Sequence, residues 1–291
     1  MTDDLTSTGS GAGADEPPGA GADEPPGAGA LAEVSYGSYL KIDELLSLQQ
    51  PMSRPVEHDE TLFIIIHQVY ELWFKEVLHE LDELVDHLDA DHPALGGHQL
   101  KRVLKIFKTL IVQLDVLETM TPLEFTSFRS FLANSSGFQS AQFRELEFLL
   151  GQKTTEHLHR FAGNEREYTN LVRRYEEPCL WDAFVRYVHR QGYDIPDNFL
   201  DRDVRMAVGY SAGVQQALID IYRNDPAMSR LCESLTDLDE GLQEWRYRHV
   251  MMVQRTIGTK IGTGGSSGVE YLRSTLFRPA FPDLWAIRSA L

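Results

Sequence analysis

Between Leu62 and Leu88 the apolar residues Leu62, Ile66, Val69, Trp73, Val77, Leu81, Leu84 and Leu88 recur every three or four positions. That spacing belongs to a long helix with one core-facing stripe. The same period returns over residues 99–118, 138–150, 165–175, 180–190, 202–223 and 228–257, so each is read as a helix. Thr121-Pro122-Leu123-Glu124 adds a helix start, with Thr and Glu at capping-box spacing and Pro at the first helical position. Gly151 is placed to end the 138–150 helix. No run alternates apolar and polar residues between turn signals, which removes strands from the reading. The fold class is all-α.

The first 30 residues are a separate segment. They repeat Ala-Asp-Glu-Pro-Pro-Gly-Ala-Gly from Ala14 and again from Ala22, and carry six acids with no Lys or Arg. Such a stretch has too little apolar surface to order itself. Residues 1–30 are therefore expected to be a disordered acidic tail, and residues 31–291 one catalytic domain. A net charge of −17 opposes binding to nucleic-acid phosphates. The absence of an apolar run of about 18 residues opposes a membrane span. Cys179 and Cys232 alone form no disulfide framework, and the N-terminus has no apolar signal region, which together fit a cytoplasmic setting.

Two histidines sit inside apolar helical stripes. Trp245, His249, Met252 and Thr256 share one face of the last long helix, with Val253 and Ile257 beside them; Phe63, His67, Tyr70 and Phe74 share a face of the first. A neutral imidazole among apolar neighbours has a lone pair to place, on a hydrogen-bond donor or on a metal. From spacing alone both readings of each histidine stand. Arg129, among Leu123, Phe125, Phe128, Phe131 and Leu132, needs an anionic partner: an internal acid or a substrate carboxylate. The 262–268 run Gly-Thr-Gly-Gly-Ser-Ser-Gly has no P-loop spacing, and reads as a loop able to close over a site. A rival metal reading comes from Glu76-x-x-His79 and Glu156-x-x-His159, two copies of the spacing used by di-iron bundles, although acids surround His79 as on a solvated face.

Four ordered blocks carry a resemblance. Phe-Ile-Ile-Ile-His-Gln-x-x-Glu-Leu-Trp starts at Phe63. Phe128-Arg129 precedes Ser-Ser-Gly-Phe-Gln-Ser at 135–140. Trp-Arg-x-Arg-His at 245–249 precedes the glycine run, and Tyr36-Gly-x-Tyr39-Leu40 stands near the start. From about Tyr36 to the C-terminus the chain resembles the haem-dependent tryptophan 2,3-dioxygenase family. The resemblance implies a haem-containing helical bundle with one haem b per subunit. The implied reaction is oxidative cleavage of the indole C2–C3 bond of L-tryptophan by O2, giving N-formyl-L-kynurenine, the first step of the kynurenine pathway. His249 matches the proximal iron ligand, and His67 the distal histidine that accepts the indole N–H. Phe63, with Ile64, Ile65 and Ile66, matches the wall against the indole. Arg129 matches the partner of the substrate carboxylate, with Phe125, Ser136 and Thr263 around the same substrate. Tyr36, Tyr39 and Leu40 match a segment that closes the pocket of a neighbouring subunit in a homotetramer.

Phe125 stands where some bacterial members have tyrosine, and Asn134 where proline is common. These departures keep open an alternative, a haem-dependent monooxygenase acting on a substituted tryptophan in secondary metabolism. A haem-sensing or scaffold protein without catalysis is a third possibility.

Overall fold

Two long helices, each of 32 residues, carry the two histidine stripes, and the rest of the fold is arranged around them. The computed structural model describes residues 34–132, 139–258 and 268–291, and every regular element among them is helical. The chain divides after Leu48 into two units. The described part of the first unit holds α1 (Tyr36–Leu40) and α2 (Ile42–Leu46), separated by Lys41 at φ 55°. Ser35 caps α1 by accepting from the Ser38 amide at 3.1 Å, and neither helix has a buried residue. Residues 1–30, expected to be a disordered tail, lie outside the described residues.

In the second unit α3 (His58–Asp89) is followed by α4 (Pro93–Leu117), α5 (Pro122–Arg129), α6 (Ala141–Leu149), α7 (Thr155–Arg160) and α8 (Glu165–Glu176). Then come α9 (Leu180–Arg190), α10 (Asp197–Leu200), α11 (Ala212–Asn224), α12 (Pro226–Ile257), α13 (Val269–Ser274) and α14 (Pro282–Ala286). The expected capping box forms at α5, where Thr121 and Glu124 each accept from the other's backbone amide. After α6, Gly151 takes φ 86°, the left-handed position expected of it. No helix among the described residues is long and apolar enough to cross a membrane.

Three boundaries differ from the periodicity, each for a local reason. α4 begins six residues early, at Pro93, and runs through Gly96 and Gly97. A Cβ on Gly96 would stand 2.6 Å from Leu84 Cδ1, so the glycine lets α4 cross α3 closely. α6 begins at Ala141 because Ser140 caps it, accepting from the Phe143 amide at 3.1 Å. α11 begins at Ala212, ten residues late. Arg202, expected on that helix, instead grips Asp182 with Nε–Oδ1 at 2.6 Å and Nη2–Oδ2 at 2.9 Å, and Ser211 supplies the cap.

The core is organised by α4, which packs along both α3 and α12 and buries Leu100, Leu110 and Leu114 completely or nearly so. α3 and α12 scarcely meet directly. Their contact is made by rings: Trp245 stands 6.3 Å from Tyr70 and 6.1 Å from Phe74, with Phe143 of α6 against Trp245 at 4.9 Å. Past this aromatic plug the two helices leave a space between them.

The α3–α4 crossing can be tested by a double-mutant cycle. Leu84→Ala empties a fully buried site and is expected to cost about 2–5 kcal/mol. Gly96→Ala alone overpacks the crossing, at about 1–3 kcal/mol. Combined, the two should cost clearly less than their sum in urea unfolding, because the new methyl enters the space Leu84 leaves; strict additivity would refute the close approach.

Candidate functional site

His67 sits on the cavity side of α3, and its Nδ1 lies 2.7 Å from the Phe63 carbonyl one turn earlier. A carbonyl only accepts, so Nδ1 carries the proton and Nε2 presents a lone pair. Burial pushes the imidazole pKa down, against the opposing pull of the Phe63 carbonyl and the Glu71 carboxylate. The ring is neutral at pH 7, with a fixed tautomer, and no hydrogen bond from the described residues occupies Nε2. Phe63 lies against it, ring centroids 4.1 Å apart, and is backed by Phe125 at 5.7 Å and Phe128 at 5.5 Å.

His249 faces the same cavity from α12. Its ring stacks on Trp245 with centroids 5.2 Å apart and planes 4° from parallel. Burial pushes its pKa down to about 4, with His67 and Arg144 adding to the effect. Its surface is only half-buried because the cavity reaches the ring. Among the described residues none hydrogen-bonds it. This histidine is therefore neutral, held flat by stacking, and able to use a lone pair on something inside the cavity.

The cavity takes in about 1560 Å³ when the open space at its mouth is counted. Leu114 and Leu117 of α4 form one wall, Phe125 and Arg129 of α5 another. Met252, Val253, Thr256 and Ile257 continue the α12 side beyond His249, as their helical register predicts. Gly268, the last glycine of the 262–268 run, and Tyr271 of α13 border it as well. At one end three buried charges meet. Glu147 takes Arg144 on Oε2, and Arg246 Nη2 on Oε1 at 2.7 Å. Arg144 also reaches His157 Nε2 at 3.3 Å, and Arg246 donates to Gln152 Oε1 at 2.6 Å. Burial, then the Arg144 charge, holds the His157 pKa down to about 4, so this cluster carries one surplus positive charge.

Phe63, His67, Phe125, Arg129 and His249, each singled out in the sequence, all line this one cavity. Ile64, Ile65 and Ile66 are not among the residues that line this cavity. A helix turns about 100° per residue, which carries them off the Phe63/His67 face; Ile66 is buried in the core and Ile65 is exposed. Ser136 and Thr263 lie outside the described residues, and Tyr36 and Tyr39 are exposed on α1 in the first unit. Arg144, Glu147 and Arg246 were not anticipated, although charges inside the apolar run Phe143–Leu150 and in the Trp-Arg-x-Arg-His block were the available signal. The di-iron reading has no geometry behind it: His79 and His159 are exposed, and no group of three potential ligands forms among the described residues.

The family model described as tryptophan 2,3-dioxygenase matches residues 21–182 and 195–291. A tryptophan 2,3-dioxygenase of Herpetosiphon aurantiacus is 56% identical over 258 residues, covering 89% of this chain and 98% of its own length. One of Anaeromyxobacter dehalogenans is 53% identical over 266 residues, covering 89% and 97%. One of Saccharopolyspora erythraea is 46% identical over 262 residues, covering 89% and 93%.

His157 and His249 also set a pH dependence. Both are neutral in the fold, with pKa near 4, and rise toward the usual 6.5 on unfolding. The unfolded chain therefore binds more protons between these values, so stability is full above about pH 6.5 and is lost as pH falls toward 4. The melting temperature of ligand-free protein should fall over that window, and His157→Gln should make the fall shallower. An unchanged slope in the variant would contradict the assignment.

Proposed function

The chain belongs to the tryptophan 2,3-dioxygenase family, and on that premise we propose that its cavity holds haem b on His249 and cleaves the indole C2–C3 bond of L-tryptophan with O2. The observation that carries this reading is the pairing of two neutral histidines from different helices across one largely apolar cavity.

The residues fit the cofactor. His249 offers a neutral imidazole with no hydrogen bond from the described residues, its plane set by Trp245. The walls are apolar, and the Arg144–Glu147–Arg246 cluster supplies a surplus positive charge suited to the two carboxylates of haem. Haem, when bound, supplies the O2 chemistry, while the protein contributes binding, orientation and electrostatics. Phe63, backed by Phe125 and Phe128, offers a flat face to the indole. His67 Nε2 accepts the indole N–H, which suits a neutral ring and needs no strong base. Arg129, half-buried at the end of α5, takes the amino-acid carboxylate. Ser136 and Thr263 join the substrate-binding set on the family resemblance alone. The aromatic and aliphatic walls keep water from the reacting carbons.

Product N-formyl-L-kynurenine then carries both atoms of one O2. No observation favours the monooxygenase alternative; Phe125 serves here as a ring packed on Phe63. Four subunits assemble, with Tyr36, Tyr39 and Leu40 of one closing the pocket of another. Their exposure on α1 supports this, since two tyrosines and a leucine gain by burial. The two buried free cysteines fit a reducing, cytoplasmic setting.

Haem-reconstituted protein should show a Soret band and convert tryptophan to a product retaining both atoms of labelled O2. His249→Ala should abolish stable haem binding. His67→Ala should keep the band and lower kcat. A normal haem spectrum in His249→Ala would remove that residue as the ligand.

Arg129→Leu is expected to raise KM for tryptophan about 10–100-fold, the loss of a charge-assisted bidentate contact worth about 1.5–3 kcal/mol. Indole derivatives lacking the carboxylate should be insensitive to the change. Equal losses with and without the carboxylate would show that Arg129 does not bind it.

A further inference from the structure

We propose that Glu147 is a positioning residue that sets the charge at the polar end of the cavity, holding it at one surplus positive charge and thereby tuning the redox poise of the bound cofactor. The inference rests on the haem reading above.

Glu147 is the one carboxylate in contact with either Arg144 or Arg246 among the described residues, and it touches both. Its oxygens are divided between them, Oε2 to Arg144 and Oε1 to Arg246. All three residues are about 95% buried, with exposures of 4%, 5% and 5% for Arg144, Glu147 and Arg246. Water therefore screens them little, and one charge more or less is felt across the cavity. Among the described residues the other partners of the two arginines carry no charge: His157 is held neutral, Gln152 accepts from Arg246, and the Thr275 carbonyl lies 3.5 Å from Arg246. Glu71 lines the cavity too, but its carboxylate is held by Gln142 Nε2 at 2.8 Å and meets neither arginine. Arg246 precedes His249 by three residues on α12, so Glu147 also ties the helix of the proximal ligand to α6.

The sign follows directly. Ferric haem iron is one unit more positive than ferrous, so added positive charge nearby disfavours the ferric state and raises the midpoint potential. Glu147→Gln keeps the side-chain shape and removes its charge, leaving two uncompensated guanidinium groups. Arg246→Gln removes one positive charge and acts in the opposite sense. Glu147→Asp keeps the charge while withdrawing it by one methylene, which breaks the double contact.

The test is spectroelectrochemical titration of the four haem-loaded proteins, with each protein's relative affinity for haem and for haem dimethyl ester measured alongside. Glu147→Gln is expected to move the potential positive and to increase the preference for haem over its ester. Arg246→Gln should move the potential negative and weaken that preference, which keeps the proposal exposed to refutation if Glu147→Gln does not fold. Glu147→Asp should melt lower yet stay near the wild-type potential. Equal potential shifts in Glu147→Gln and Glu147→Asp, or none in Glu147→Gln and Arg246→Gln, would leave Glu147 a structural tie and overturn the proposal while the haem reading stands. Failure of the wild-type protein to take up haem would overturn both.

Discussion

α4 keeps α3 and α12 apart, and the site depends on that separation. Packed directly, two 32-residue amphipathic helices would fill each other's grooves along their length. Here each packs on α4 instead, and they meet only where Tyr70, Phe74, Phe143 and Trp245 plug one end of the gap. Interiors close up where they can. The cavity stays open because the close approach of α3 and α4 at Gly96 and the aromatic plug fix the frame around it. A ligand that fills it returns the lost contacts, so binding and folding stability are coupled.

Within that frame, two histidines receive different roles from the same chemistry. Burial makes both neutral. What separates them is the partner of the second nitrogen. The Phe63 carbonyl accepts the Nδ1–H of His67, which leaves the Nε2 lone pair on the cavity side. His249 has a stacking partner and no hydrogen bond among the described residues, so its orientation is fixed while its nitrogens stay available. One residue is shaped as an acceptor for a substrate N–H, the other as a ligand.

These features differ in how legible they were in the sequence. A helix converts period into direction, so Phe63, His67, Trp245, His249, Met252 and Thr256 could be assigned a common face from spacing alone. Arg129 stood out because a charge in an apolar stretch demands a partner. The same geometry sets Ile64, Ile65 and Ile66 apart from Phe63 and His67: adjacency in a sequence block is not adjacency on a helix. The start of α4 was hidden because Gly96 and Gly97 look like breakers, and only the position of Leu84 reveals that one of them permits close packing. The start of α11 was hidden because the Arg202–Asp182 pair joins residues 20 apart. Least legible was the link from Glu147 to Arg246, which spans 99 residues and has no period to announce it.

That link also bears on why charges are buried here at all. A buried ion pair is weak evidence for stability, because desolvation offsets most of the attraction and apolar replacements of similar volume are often as stable. Two arginines sharing one carboxylate are worse in this respect, since a positive charge is left over. On α6, Phe143, Leu146, Phe148 and Leu149 are buried alongside Arg144 and Glu147, so apolar side chains would have suited the helix for folding alone. The surplus charge lies beside an apolar cavity and within one turn of His249 on α12. A cluster that is poor as a structural tie is well suited to receive an anionic group from inside the cavity, and its position assigns it to the site.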